Sequence, residues 1–309
     1  MGPAQTAALD EQKKDEKKNS ESEAAQSSST NPHPAPSDEA HKDEKEDKPL
    51  EEPQKSYDTI LEQEVTSAEE EMDRPALALL LSGLTAGLDL GFGPLTMVVL
   101  AATLEPVVTK PTLHVLMANA YAIGFIFVVL GRSALFTEHT TSAVLPVLTG
   151  RSSVAKLFRL WGLVFLGNTI GCVLFSAFAA ALIPSLVDGS ATQFAELAHR
   201  TVSHPSWVMF LSAIMAGWIM GLVSWLVVAS RESINQLVCV WLATSVIGLA
   251  GFHHSVAGTV EVLTGVMLGQ GATFGDYLRF LALAVPGNVV GGTVFVAILK
   301  WGHIQQNAA

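Results

Sequence analysis

The pattern of apolar residues divides the chain into a polar N-terminal part and a series of long hydrophobic segments. From residue 76 onward, windows of about 20 apolar residues, the length that crosses a hydrocarbon core of ~30 Å, recur along the chain. They lie at about 76–103, 112–131, 157–184, 207–229, 234–258 and 277–301. The pattern therefore predicts an all-α membrane protein with six transmembrane helices.

Two segments of this hydrophobic part repeat each other's pattern. Residues 139–150 and 254–265 both begin with His and both end with Val-Leu-Thr-Gly. Each is followed by a span that contains Gly-Asn-x-x-Gly, at 167–171 and at 287–291. Three spans in each half would invert the second half relative to the first, and inverted repeats are how many transporters build a site at the midplane of the membrane.

Polar residues interrupt the second apolar segment of each half. Phe-Thr-Glu-His-Thr-Thr occupies 136–141, and Gly-Phe-His-His-Ser occupies 251–255. At membrane depth, polar and Gly-rich backbone is tolerated only where it is buried in protein or lines a wet cavity. Broken second and fifth helices beside a pore are the simplest arrangement that fits this pattern.

The breaks contain the candidate pore residues. His254, and secondarily His253, would lie near the centre of the bilayer, where an imidazole can change charge near physiological pH. A histidine that only binds a carbonyl of the broken helix is the alternative. Thr137 offers a hydroxyl that could contact a permeant ion or cap a helix. Asn168 and Asn288 recur symmetrically and are expected to bind exposed carbonyl groups near the breaks, beside Gly251.

Two further groups of residues have more than one interpretation. A metal site made of His139, His253 and His254 has weak support, because no Cys or tight ligand spacing accompanies it. Glu138 and Glu261 could attract cations at a vestibule, or pair with bases. No metal and no cofactor is expected.

Composition and charge exclude several classes of protein. The chain is 49% hydrophobic and only 15% charged, with a mean hydropathy of +0.38, which is too apolar for an ordinary soluble domain. No basic stripe is present that would neutralise phosphates, so nucleic-acid binding is not expected. The two cysteines lie inside apolar runs, which argues against a disulfide scaffold. An enzyme is also not expected, because the sequence shows no nucleophile–base set, HExxH helix or phosphate-binding Gly loop.

The charge is concentrated in the N-terminal part. Residues 1–74 contain 21 acidic and 9 basic residues, whereas residues 75–309 contain 8 and 9. We expect 1–74 to be a disordered acidic cytoplasmic tail without a signal peptide, and 75–309 to be the transmembrane domain. Residues 57–72 could form an amphipathic helix on the membrane surface or on a neighbouring subunit. Six basic residues at one set of span ends, against three at the other, favour cytoplasmic N- and C-termini.

Taken together, these features resemble the formate/nitrite transporter family over about residues 75–302. The resemblance rests on Leu-Phe-Thr at 135–137, Gly-Phe-His-His-Ser-Val-Ala at 251–257 and both Gly-Asn-x-x-Gly elements. The charged tail and the Phe-Thr-Glu-His-Thr loop are most similar to its YfdC-type subgroup. The resemblance implies an aquaporin-like fold in the inner membrane, five protomers with a pore in each, and passage of formate, nitrite or related small monovalent anions with proton coupling or pH gating.

The resemblance also implies roles for individual residues. His254 matches the central pore histidine of the family, and Thr137 matches the threonine of its flexible loop. By position, Tyr121, Phe125 and Ile247 would form an apolar constriction.

This chain departs from the family pattern at two positions. It has His253 where the family typically has Glu, and no Lys lies around Thr201, where the family has a Lys leading into the fourth span; Arg200 and His204 are the nearest basic groups. Two alternative functions stay open: passage of a small neutral solute or weak base through the same fold, and a membrane scaffold that recruits a partner through the acidic tail.

Overall fold

The computed structural model describes residues 54–308, in which every regular element is a helix. Most of the predicted acidic tail, residues 1–53, lies outside the described residues. The helices are α1 (Tyr57–Asp73), α2 (Ala76–Leu90), α3 (Phe92–Leu104), α4 (Lys110–Leu130), α5 (Phe136–Ser142), α6 (Leu145–Leu148), α7 (Val154–Leu186), α8 (Ser190–Val202), α9 (Ser206–Ala229), α10 (Ser233–Ala250), α11 (Ser255–Met267), α12 (Phe274–Gly292), a π-helical stretch (Thr293–Ile298) and α13 (Leu299–Ala308).

Six helical segments among these residues are long and apolar enough to cross a membrane. They are Ala76–Leu104, Lys110–Leu130, Val154–Leu186, Ser206–Ala229, Ser233–Ala250 and Phe274–Gln306. The prediction of an all-α protein with six spanning helices is confirmed. The fifth span is shorter than the predicted window 234–258, because Gly251 takes a left-handed backbone conformation with φ of 66° and ends α10.

The spanning helices pack in corresponding pairs. In one half α2 packs along α7, in the other half α9 packs along α12, and α4 and α10 pack against each other. Close backbone approach in the first two pairs depends on glycine. A Cβ atom at Gly87 would collide with the carbonyl oxygen of Asn168, and a Cβ atom at Gly217 would collide with that of Asn288. Small residues therefore bring each asparagine-bearing helix tightly against its neighbour.

Helix α1 precedes the first spanning helix and packs on its own chain. It begins where the Ser56 hydroxyl accepts a hydrogen bond from the Thr59 N–H at 3.2 Å. One face is buried against α5, α6, α7 and α9. The buried residues of this face are Ile60, Leu61, Glu64, Val65, Ala68 and Met72. Spacings of three and four residues give this helix an apolar stripe.

Ion pairs also connect α1 to the loop before α7. Arg151 lies 2.7 Å from Glu62 and 2.6 Å from Glu69, and Lys156 lies 2.5 Å from Asp73. Most of these side chains are exposed, so water and salt screen the pairs and each adds little to stability. The sequence indicates that a helix here could lie on the membrane surface or on a neighbouring subunit. It also predicts that the transmembrane domain begins at 75. In the structure the apolar stripe is instead buried within the same chain, which extends the folded part to include α1.

Candidate pore site

The first helix break lies between α4 and α5 and is held by Asn168. The side-chain oxygen of Asn168 accepts from the Phe136 N–H at 2.9 Å. Its amide nitrogen donates to the carbonyl oxygens of Gly83 at 2.8 Å and Ala134 at 2.9 Å. Asn168 is completely buried. The bonds to Phe136 and Ala134 satisfy backbone groups that the link between α4 and α5 leaves without helical partners, and the bond to Gly83 holds this link against α2.

The second break lies between α10 and α11 and is held by Asn288 in the same way. The side-chain oxygen of Asn288 accepts from the Ser255 N–H at 2.8 Å. Its amide nitrogen donates to the carbonyl oxygens of Ala213 at 2.8 Å and His253 at 3.0 Å. The three bonds correspond one for one to those of Asn168.

His254 and Thr137, one from each break, meet through a buried hydrogen bond. The Nδ1 atom of His254 lies 3.1 Å from the Ala257 N–H and accepts from it, which caps α11. A neutral His254 therefore carries its proton on Nε2. Nε2 lies 2.8 Å from the Thr137 hydroxyl oxygen, so the imidazole donates and the hydroxyl accepts. The hydroxyl proton of Thr137 stays available for another acceptor.

Apolar side chains surround this pair. The Phe125 ring lies edge-on to the His254 imidazole with 4.9 Å between ring centres, and Tyr121 lies 5.1 Å from Phe125. Ile247, from α10, is also buried. Phe125 therefore lies against His254, Tyr121 lies against Phe125, and Ile247 lines the same cavity as Tyr121 and His254.

Two cavities approach the site from different sides. The first, here called the α8-side cavity, is about 290 Å³ in volume, and its lining includes Tyr121, Thr201, Ile247, His253, His254 and Glu261. The second, here called the α1-side cavity, is about 570 Å³, and its lining includes Glu64, Glu138, His139, Ser142 and Ser224. The two linings share no residue, and neither includes Phe125 or Thr137, which are fully buried. The two cavities are therefore separate, and Phe125 and Thr137 line neither of them.

His253 lies beside His254 in sequence but binds elsewhere. Its Nε2 atom lies 3.0 Å from the Thr201 carbonyl oxygen, to which it donates. Its Nδ1 atom accepts from the Ser212 hydroxyl at 2.5 Å. Both ring nitrogens of a neutral His253 are therefore occupied, and the side chain ties the link before α11 to α8 and α9.

His139 lies in the α1-side cavity, apart from the other two histidines. Its Nδ1 atom is 3.3 Å from the Ser142 hydroxyl, and its carbonyl accepts from the Trp161 indole at 2.9 Å. Its Nε2 atom is buried without a hydrogen-bond partner among residues 54–308. The described part of the chain contains no group of three or more His, Cys, Asp or Glu side chains that could hold a metal ion.

Two buried carboxyl groups bind hydroxyl groups. For Glu261 the sequence left open attraction of cations at a vestibule or pairing with a base, and for Glu64 it predicted no role. Glu261 accepts from the Thr201 hydroxyl at 2.6 Å, and Glu64 accepts from the Ser224 hydroxyl at 2.9 Å. Burial raises the pKa of Glu64 to about 7, while the bond from Ser224 opposes this shift. The position of Glu64 in the apolar stripe of α1, four residues after Ile60, is the sequence signal that could have revealed its burial.

Comparison with known proteins gives matches over most of the chain. The family model described as formate/nitrite transporter matches residues 58–302. The inner membrane protein YfdC of Escherichia coli is 34% identical over 242 residues, which cover 77% of this chain and 76% of that protein.

Solved structures match the fold. A structure described as an FNT family ion channel superposes with a TM-score of 0.70 at 21% identity, covering 79% of this chain and 98% of the other. A pentameric formate channel with formate bound superposes with a TM-score of 0.62 at 21% identity, covering 74% and 98%. The helices described above therefore form the same fold as these channels.

Proposed function

Because the chain belongs to the formate/nitrite transporter family, we propose that its own cargo is formate, nitrite or a related weak-acid anion, carried by a channel or a proton-linked transporter. The observation that carries this proposal is the buried hydrogen bond between Thr137 and His254. It supplies a buried polar contact beside the Phe125 ring, between His254, which lines the α8-side cavity, and Thr137, which lines neither cavity.

The proposed path runs from the α8-side cavity to the α1-side cavity. In the first cavity Arg200 and His204 attract the anion. Tyr121, Phe125 and Ile247 then remove its water. The Thr137 hydroxyl, held by His254, donates a hydrogen bond to the anion in this apolar region, where an unpaired charge is costly. Glu138 and His139 line the cavity on the other side of the constriction.

The assembly and orientation follow from different evidence. Likeness to a pentameric formate channel supports five copies of this chain, each with its own pore, and related breaks at Asn168 and Asn288 support inverted repeats. Six basic residues at the span ends on the N-terminal side, against three at the other ends, support cytoplasmic termini. The bilayer of an inner membrane then surrounds the six spans.

A second candidate is passage of a small neutral solute or weak base. It is favoured by the Thr201 hydroxyl, which binds the carboxylate of Glu261 at the place where the resemblance implies a lysine. Without that fixed positive charge, the mouth of the pore attracts anions less strongly.

Uptake into liposomes distinguishes these two functions. Purified protein is reconstituted, and uptake of formate and of the uncharged isostere formamide is followed beside protein-free liposomes at several pH values. Protein-dependent formate uptake that increases at lower pH supports the weak-acid function. Protein-dependent uptake of formamide without formate supports the second candidate and overturns the first.

A further inference from the structure

Glu261 is a buried carboxyl group on α11, and it has no ion-pair partner within 4 Å among residues 54–308. Its side chain is only 8% exposed. The Thr201 hydroxyl lies 2.6 Å from one carboxylate oxygen of Glu261 and 3.1 Å from the carbonyl oxygen of Leu197. One hydroxyl proton cannot serve both acceptors at once, so the two contacts describe alternative arrangements.

These alternatives correspond to the two protonation states of Glu261. When Glu261 is ionised, Thr201 donates to the carboxylate, which is the stronger, charge-assisted bond. When Glu261 is protonated, its O–H donates to the Thr201 oxygen, and the Thr201 proton turns to the Leu197 carbonyl. The Thr201 hydroxyl proton has an acceptor in both states, and the contact between Thr201 and Glu261 is kept without movement of heavy atoms. His253 fixes Thr201 by donating to its carbonyl oxygen at 3.0 Å.

The other titratable groups of the α8-side cavity surround Glu261 from several elements. His114 and Tyr121 lie on α4, Arg200 lies at the end of α8, and His204 follows it. Cys172 and Tyr277, on helices that also pack against α11, do not line this cavity. Glu261 is the carboxyl group that lines this cavity, so an anion attracted by Arg200 meets it there.

The two histidines at the second break, His253 and His254, are less suited to bind an additional proton. Nδ1 of His254 accepts from the Ala257 N–H, and Nε2 bonds to Thr137. Nδ1 of His253 accepts from Ser212. Protonating Nδ1 of His254 would break the bond from the Ala257 N–H that caps α11, and protonating Nδ1 of His253 would force the Ser212 hydroxyl to reverse. Protonating Glu261 breaks no hydrogen bond, because its contact with Thr201 only reverses direction.

We propose that Glu261 is the proton donor that converts the permeant anion into its neutral acid in the α8-side cavity. The inference rests on the proposed function. Glu261 receives one proton from hydronium of the bulk solution, relayed through cavity water, and passes it to an oxygen of the anion. The anion becomes the uncharged acid and carries the proton onward, Glu261 becomes ionised, and a second hydronium ion protonates it again. The apolar constriction favours this order, because the neutral acid costs less to desolvate than the anion.

The test compares Glu261→Gln with the wild type in liposomes that contain a pH-sensitive dye. Gln keeps the shape and can still accept from Thr201, but it cannot supply a proton. We expect formate uptake and the accompanying proton uptake to fall at least tenfold, and the residual uptake to lose its pH dependence. Glu105→Gln is the matched control, because Glu105 accepts a hydrogen bond of 2.6 Å from Gln193 on the same side of the molecule but does not line this cavity. Its uptake should be unchanged.

Thr201→Val provides a second variant that keeps the carboxyl group. Loss of the bond to the ionised state favours protonation, so half-maximal uptake should move to higher pH. Uptake by Glu261→Gln with the rate and proton count of the wild type would overturn the proposal.

A readout independent of transport separates this proposal from the proposed function. In detergent, the difference in thermal unfolding midpoint between wild type and Glu261→Gln should change with pH, whereas the difference for Glu105→Gln should not. Absence of formate uptake by the wild type would contradict the proposed function, and the donor role that rests on it. A constant difference in midpoint, with formate uptake intact in the wild type, would contradict proton binding at Glu261 alone.

Discussion

The break before α5 and the break before α11 have the same support and differ in the residue at the helix start. Asn168 and Asn288 each make one bond to a helix N–H and two bonds to carbonyls. At the first break the preceding residue, Leu135, has no side-chain cap, and Thr137 lies inside α5. At the second break His254 both caps α11 and binds the Thr137 hydroxyl.

Because of this difference, each half contributes a different group to the hydrogen bond between Thr137 and His254. The bond from the Ala257 N–H to His254 sets the imidazole tautomer, and the tautomer makes His254 the donor to Thr137. The first break therefore supplies a hydroxyl whose proton the fold does not use. The second break supplies the group that orients it.

Removing the asparagines should have the largest effect. Asn168→Ala and Asn288→Ala each leave two buried backbone groups of the link unpaired, at about 1–3 kcal/mol for each group. We expect each substitution to lower the free energy of unfolding by about 2 kcal/mol or more, and to abolish uptake. Thermal unfolding in detergent measures the loss of stability, and uptake into liposomes measures the loss of transport.

Thr169→Val is the control for this comparison. Thr169 neighbours Asn168, is half-buried and bonds only to the Phe165 carbonyl of its own helix. A small effect at Thr169 with large, similar effects at both asparagines is expected. A much smaller loss for one asparagine than for the other would show that the two breaks are not equivalent.

Separating the two roles of His254 should have the next largest effect. His254→Asn keeps a side chain that can cap α11 but is too short to hold Thr137. His254→Ala loses both contacts, and loss of the cap costs about 1 kcal/mol more. We expect formate uptake to fall at least tenfold in both variants, with the unfolding midpoint lowered mainly in His254→Ala. Uptake by His254→Asn at the wild-type rate would contradict the role of the imidazole.

Glu64 should have the smallest effect on transport but a measurable effect on stability. Its pKa is about 7 in the folded protein, against a usual value of about 4.5. Between these pH values the folded state holds a proton that the unfolded state has lost, so the free energy of unfolding falls as pH rises, by up to about 3 kcal/mol. Glu64→Gln should remove this dependence of the free energy of unfolding on pH. Thermal unfolding of wild type and variant between pH 4 and 8 measures the difference.

Glu62→Gln, on the exposed face of the same helix, is the matched control. The bond from Arg151 lowers the pKa of Glu62, so Glu62 is ionised throughout most of that range. The variant should retain the decline in stability with rising pH. The same decline in Glu64→Gln would mean that another group is responsible.

Much of the fold could be predicted because spanning helices need long apolar windows. The six windows follow from hydropathy alone. Of the two predicted interruptions, 251–255 begins at Gly251, where α10 ends, whereas 136–141 lies inside the short helix α5, after the link 131–135. Length and periodicity do not report which surface covers a helix. The packing of α1 on its own chain was therefore not predicted, although its apolar stripe was visible.

The site was predictable only in part, because sequence reports residue types but not contacts. His254 and Thr137 were proposed as pore residues separately, and their mutual bond depends on a tautomer fixed by the Ala257 N–H. The partner of Glu261 lies 60 positions away on α8. No local pattern links such residues, since the link is made by the packing of α8 on α11.

The most direct test of the central claim is formate uptake by liposomes containing the wild type, Thr137→Ser or Thr137→Val. Val has nearly the shape of Thr but no hydroxyl, and Ser keeps the hydroxyl, so the pair isolates the donor from the packing. We expect protein-dependent, pH-dependent formate uptake by the wild type and by Thr137→Ser. We expect the rate of formate uptake to fall at least tenfold in Thr137→Val. Wild-type uptake by Thr137→Val would contradict a path that depends on the Thr137 hydroxyl.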